Sequence, residues 1–306
     1  MTKVFIDGSA GTTGLRIYGR LSERKDIELI TLSDDVRKDE GARKEAIWAA
    51  DIAFLCLPDA AAKEAVELAE GSDTVIIDTS TAHRTEAGWV YGFPELVGID
   101  KVAGSKRIAN PGCHASGFIS LVAPLVRLGI LKADAALSCW SVTGYSGGGK
   151  KMIAQYEADG RDVLLDAPRL YGLSQVHKHL KEMKIISGLT VDPIFCPIVA
   201  DYYSGMEVGV SVFKKDVNGS LDDIKAAYKG FYKGPIVHFD ESVDAAGFIS
   251  AAKMSGRDDM SISVTGNDDR IVLVSLFDNL GKGASGAAIQ NMNIVMGVNE
   301  ITGLSF

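Results

Sequence analysis

Over the first hundred residues, short apolar runs alternate with longer amphipathic stretches. The runs at 4–6, 27–32, 52–57 and 75–77 are bounded by turn residues, the pattern of strands buried on both faces. Residues 13–20, 38–50 and 60–70 carry helical spacing. This alternation predicts an α/β domain, a Rossmann-like parallel sheet wound by right-handed crossovers.

Beyond residue 110 the pattern changes. A helix starts near Cys113, and longer strand-like segments follow at 135–143, 206–213, 261–265 and 271–277. Helical stretches near 149–158, 175–184 and 220–230 interrupt them. Such an arrangement predicts a second, α+β domain on a mixed or antiparallel sheet. A last helix, roughly 284–299, follows a Gly-rich turn and is expected to return to the first domain. The expected division is 1–112, 113–280 and 281–306, and a chain of 306 residues suits two domains.

Composition narrows the partners. Forty acidic residues against 32 basic give a net charge of −8, which argues against nucleic acid or an anionic membrane as partner. An anionic small molecule then needs a local basic pocket. The cysteines at 56, 113, 139 and 196 form no C-x-x-C pair, and no ligand set for a metal stands out. The N-terminus has no signal-like apolar region, and the most apolar stretch, 118–126, falls well short of the ~20 residues that span a bilayer. A reducing, cytoplasmic setting is expected.

Gly8-Ser9-Ala10-Gly11-Thr12-Thr13-Gly14 lies between the first strand and the first helix. Glycines there allow a sharp turn and close approach of a pyrophosphate to the helix start; a ligand-free tight turn is the plainer alternative. After the second strand, Ser33 with Arg37 or Lys38 suits an NADP 2′-phosphate, while Asp34 leaves NAD open.

Asn110-Pro111-Gly112-Cys113-His114 introduces an apolar helix. A cysteine at a helix N-terminus is favoured as thiolate, and first-turn amides can hold an oxyanion. Cys56, Cys139 and Cys196 lie in strand-like segments and read as core. His177-Lys178-His179 is the one close histidine pair, either an acid–base group beside a lysine or a solvated basic patch. Arg84, after the fourth strand, suits a phosphate or carboxylate grip, or a surface ion pair. The loop 143–151, with three consecutive glycines before Lys150 and Lys151, is a phosphate nest or a hinge.

Together these motifs resemble the short (type 2) N-acetyl-gamma-glutamyl-phosphate reductases, within the aspartate-semialdehyde dehydrogenase superfamily. The matching pieces are GSAGTTG at 8–14, DTSTAHR at 78–84, YGFPEL at 91–96, NPGCHASG at 110–117, TGYSGGGK at 143–150, HKHLKEM at 177–183 and DNLGKGASGAAIQNMN at 278–293. The resemblance implies an NADP(H) domain and a catalytic α+β domain that makes homo-oligomer contacts, in a dimer or tetramer. It implies Cys113 as nucleophile and His177 as acid–base group. Substrate contacts would come from Arg84, Asn110, Ser116, Lys150 and His179. Cofactor contacts would come from residues 8–14, Ser33, Arg37 and Ser80. One departure is Lys181, where the family's proline is expected, and the choice between His177 and His179 turns on that backbone.

The implied chemistry is reduction of an acyl phosphate through a thioester. The rivals are the same chemistry on aspartyl phosphate, and an NADP-binding sensor without catalysis. The Asn110–Cys113 turn speaks against the sensor, which needs no such thiol.

Overall fold

A computed structural model of the chain describes residues 1–244 and 246–306. It has two compact units, Met1–Pro111 with Ala284–Leu304, and Gly112–Gly283 with Ser305–Phe306.

The first unit contains β1 (Thr2–Asp7), α1 (Thr12–Leu21), β2 (Ile27–Ile30), α2 (Glu40–Ala49), β3 (Ile52–Leu55), α3 (Asp59–Leu68), β4 (Val75–Asp78), β5 (Val90–Tyr91), α4 (Pro94–Val97), α5 (Ile99–Ala103) and β6 (Arg107–Ala109). All four apolar runs are strands. β5 and β6, with two and three residues, are too short to leave a pattern. The strands run parallel in the order β2-β1-β3-β4-β6-β5. The chain leaves β1 for one neighbour and crosses back to the other. The carboxyl ends of β1 and β3 therefore form the switch point at which such sheets bind ligands. Alternate β1 residues serve two cores. Val4 and Ile6 join Ile17 of α1 and Met292 of the helix Gly286–Val295, while Phe5 joins Ile47, Leu55 and Ile76.

The second unit contains α6 (Cys113–Arg127), β7 (Ser138–Gly144), α7 (Gly149–Tyr156), β8 (Arg169–Leu170), α8 (His179–Ser187), β9 (Ile194–Ala200), β10 (Met206–Phe213), α9 (Leu221–Phe231), β11 (Val237–Phe239), β12 (Met260–Gly266) and β13 (Arg270–Phe277). They build a mixed sheet ordered β11-β12-β13-β10-β7-β9-β8. The helix expected over 175–184 starts only at His179. Gln175, at φ +55°, lies in the left-handed region, which no α-helix can continue.

α6 is apolar on all sides, as a helix enclosed by its own domain must be. Gly117 lets it approach β10 closely: a Cβ there would lie 2.7 Å from Val208 Cβ. Pro124 sits in the helix interior and lacks the N–H that would bond the Ser120 carbonyl one turn back. Tyr232 Oη donates to that carbonyl at 2.6 Å, and Tyr228 Oη to the next, Leu121 O, at 2.5 Å. The helix that begins at Cys113 is thus repaired from a segment more than a hundred residues away.

Replacing Tyr232 by Phe leaves the Ser120 carbonyl buried without this donor. We expect a loss of about 1–3 kcal/mol, read from urea unfolding monitored by circular dichroism. An unchanged midpoint refutes the repair role.

Candidate functional site

In the first unit, the chain turns after β1 at Gly8, whose φ is +84° and where a Cβ would strike the Cys56 carbonyl. A Cβ at Gly14 would lie 2.5 Å from Gly8 O, so α1 starts hard against the turn. Gly11 is the N-cap and brings no capping side chain, and the first turn of α1 holds no acidic residue. That leaves a helix start suited to an anion.

A cavity of about 380 Å³ opens at this end of the sheet, lined by Gly8 and Ser9, Leu57 beyond β3, and the cations Arg37, Lys38 and Arg43. Arg43, on α2, donates from Nε to Asp7 Oδ2 at 3.0 Å and pairs through Nη1 with Glu64. Its Nη2 is buried with no hydrogen-bond partner. Burial raises the Asp7 carboxyl above its ordinary range, although Arg43 opposes this. Arg37 also pairs with Asp34 at 3.1 Å. Against the lining carboxylates Asp7 and Glu64, which Arg43 pairs, the cavity keeps the cations Arg37 and Lys38 and an unmet donor, which fits a phosphorylated ligand. Sequence reasoning passed over Arg43, whose one signal is its place on the first turn of α2.

Ser33, Ser80, Arg84 and Asn110 are held by protein groups. Ser33 bonds Asp35, and Ser80 Oγ donates to Asp78 Oδ2 at 2.7 Å. Asp78 also meets His83 Nδ1 at 2.7 Å, and the His83 ring stacks on Trp89. Arg84 is buried; its Nε donates to Asn110 O at 2.9 Å and its Nη2 to Thr79 O at 3.0 Å. Asn110 Nδ2 donates to Ala284 O at 3.1 Å, and its Oδ1 accepts from Asn291 at 3.3 Å. Arg84 thereby ties together the loops that follow β4 and β6.

In the second unit, Cys113 is half-buried as the first residue of α6. Gly112, the N-cap, is extended (φ −80°, ψ 146°), and its N–H donates to the buried carboxylate of Glu182 at 2.9 Å. Glu182 lies on α8, one turn beyond His179, so the nucleophile's turn is fixed by the histidine helix. A Cβ at Gly283 would stand 3.1 Å from Cys113 Cβ, so this glycine keeps space beside the thiol. Ser116 is fully buried and its Oγ has no partner. Lys150 is exposed in the first turn of α7.

His114, His177 and His179 form one ring cluster with Tyr171 and Phe195. His114 and His177 stand 5.8 Å apart, nearly perpendicular. The His179 N–H donates to His177 Nδ1 at 3.2 Å, so the neutral His177 ring carries its proton on Nε2. Burial and the adjacent Lys178 hold His177 below the usual imidazole range, with Glu182 opposing. Burial, with a contribution from His177, takes His114 from 6.5 down to about 3. Burial and the nearby Cys113 push the Tyr171 hydroxyl up. Burial also raises Cys56 to about 12 and Cys139 well above the ordinary thiol range, so those two thiols stay protonated at neutral pH. Glu182, Tyr171 and Ser141 escaped sequence reasoning because only the fold brings their strand, loop and helix together.

A parallel nucleotide-type unit and a mixed-sheet unit that carries a cysteine at a helix start define a semialdehyde dehydrogenase. The family model "semialdehyde dehydrogenase, NAD binding domain" matches residues 3–101, and "semialdehyde dehydrogenase, dimerisation domain" matches 113–279. Within that class, the chain belongs to the N-acetyl-gamma-glutamyl-phosphate reductase family. It is 43% identical to N-acetyl-gamma-glutamyl-phosphate reductase 2 of Nostoc sp., over 99% of both chains. It is 45% identical to the Brucella ovis reductase, over 96% of this chain and 99% of that one. Aspartate semialdehyde dehydrogenase II from Vibrio cholerae shares the fold, with a TM-score of 0.72 at 16% identity, over 97% of this chain and 98% of that one. The chain is thus an oxidoreductase with a nicotinamide-binding domain. No helix among the described residues is long and apolar enough to cross a membrane.

His114 carries a pH signature. Its folded pKa lies below its unfolded one, so the stability it contributes is present above about 6.5 and is lost as pH falls toward about 3. We expect the thermal midpoint to drop over that window, and the drop to be smaller in His114→Phe, whose midpoint at neutral pH stays close to wild type. Parallel acid limbs in the two proteins would refute a neutral His114.

Proposed function

We propose that the chain reduces N-acetyl-gamma-glutamyl phosphate to N-acetylglutamate 5-semialdehyde and phosphate, with NADPH, in arginine biosynthesis. The observation that carries this reading is Cys113, the half-buried first residue of a buried helix, adjoining the imidazole cluster that contains His177. The Cys113 thiolate attacks the γ-carbonyl carbon; an S–C bond forms, the C–O bond to phosphate breaks, and a thioester remains. The bound nicotinamide supplies the hydride. His177 gives its Nε2 proton to the resulting oxyanion, then takes it back as the C–S bond breaks and the aldehyde leaves. First-turn amides of α6 are the donors available to the oxyanion, and Ser116, His179 and Lys150 are the substrate-side candidates of this unit. Arg84 and Asn110 act on the phosphate side through the backbone they hold, since their own polar atoms bond protein groups.

NADP rather than NAD is supported by Arg37, Lys38 and the unmet Nη2 of Arg43 around one cavity. The Gly8–Gly14 turn would hold the pyrophosphate of such a cofactor. We also read a homo-oligomer, dimer or tetramer, formed through the open face of the second sheet. There Trp140, Val142, Cys196 and Ile198 are half-exposed, and Gly209 makes room for the Trp140 ring. A catalytic thiol outside any disulfide suits the cytoplasm.

Cys113→Ser should abolish phosphate-dependent NADP reduction by N-acetylglutamate semialdehyde while NADPH binding, followed by fluorescence, is retained. Turnover in that variant removes the thioester. Aspartate semialdehyde, assayed alongside, should give much the lower kcat/KM. Arg37→Ala with Lys38→Ala should raise KM for NADPH about tenfold and leave NADH unaffected. Equal changes for both cofactors would mean the cavity does not read the 2′-phosphate.

A further inference from the structure

His114 is buried at 4% exposure, yet both of its ring nitrogens are bonded to side-chain hydroxyls. Nδ1 meets Ser141 Oγ of β7 at 2.7 Å, and Nε2 meets Tyr171 Oη, just beyond β8, at 2.7 Å. Packing alone does not require this. An apolar ring would fill the same space without desolvating two nitrogens and two hydroxyls. What the hydrogen bonds add is direction, because a ring held at both nitrogens cannot turn.

The ring so fixed lies against the acid–base candidate. His177 is touched by His114 at 5.8 Å, Phe195 at 5.2 Å, His179 at 4.8 Å and Tyr171 at 6.2 Å between ring centroids. His177 lies in the turn before α8, where the His179 amide donates a long bond, 3.2 Å, to its Nδ1. Its orientation therefore depends on its neighbours. The charged and titratable groups around it are Lys178, His179 and Glu182 from its own segment, His114 beside Cys113 on α6, and Tyr171.

We propose that His114, clamped between Ser141 and Tyr171, is a positioning residue that holds the His177 ring in its working orientation. Tyr171 is the second half of the device, bonded to His114 and in ring contact with His177. The clamp adjoins the nucleophile through the peptide bond between residues 113 and 114, so one hydroxyl pair orients the reacting cysteine's neighbour and the proton carrier together. This inference rests on reading Cys113 and His177 as the reacting pair.

The test replaces the whole clamp by apolar groups, His114→Phe with Tyr171→Phe and Ser141→Ala, which leaves no orphaned hydroxyl. The positioning role predicts a folded protein whose thermal midpoint is close to wild type. Its kcat should be at least about tenfold lower, with substrate KM within about twofold and an altered pH–rate profile. His114→Gln, which still reaches Tyr171, should recover most of the rate. Wild-type kcat and an unchanged profile in the folded triple variant overturn the proposal. Should that variant fail to fold, Tyr171→Phe alone decides: a slower kcat at constant KM supports the role, and no change overturns it. Cys113→Ser, measured in parallel, separates the two levels. An active Cys113→Ser overturns the catalytic reading and the proposal with it, whereas an inactive one beside a fully active clamp variant overturns the positioning alone.

Discussion

A buried hydrogen bond from the Gly112 amide to the Glu182 carboxylate, at 2.9 Å, ties together the two helices that carry the candidate chemistry of the second unit. It joins the start of α6, which presents the thiol, to α8, which follows the histidines. Burying a carboxylate is expensive unless its oxygens are met, and charge-assisted bonds to backbone N–H are among the stronger ones available. Glu182 is 2% exposed, so the bond is made away from water and ties α8 to the turn that opens α6. Removing the carboxylate would leave the Gly112 amide seeking a partner in the turn that must stay extended for Cys113 to open a helix.

The same constraint explains why α6 can carry both burial and chemistry. Its far portion is anchored by apolar packing, by the Tyr232 hydroxyl that repairs the break at Pro124, and by the Tyr228 hydroxyl on the next carbonyl. Its first turn keeps donors near the thiol and has no acidic residue to compete with a developing oxyanion. Rigidity at one end and available polarity at the other are what nucleophilic catalysis asks of a helix.

Much of this was legible in the chain. Strands of the first sheet show as apolar runs, because a parallel sheet is buried on both faces. Cys113 shows because proline, glycine and cysteine in series can be read locally. The clamp of His114, Ser141 and Tyr171 does not show: its members lie 27 and 57 residues from one another's ring, on elements paired only by the sheet order. Arg43 was hidden for a similar reason, its role depending on the depth of α2 against β1. Nor could periodicity foresee that 175–178 would be a turn, since the left-handed Gln175 is a matter of backbone rather than of hydrophobic pattern.

Three imidazoles within one cluster pose an electrostatic problem, because a proton on one disfavours a proton on the next. The structure's answer is to place the rings in unlike surroundings. His114 has hydroxyl partners and no carboxylate bond, and burial disfavours its charged form strongly. His177 is also held below the usual imidazole range by burial and Lys178, but with Glu182 opposing them. A proton brought into the cluster is thereby directed away from His114. The ring that then remains uncharged is the one bonded to fixed partners and able to orient its neighbour without changing state during the reaction.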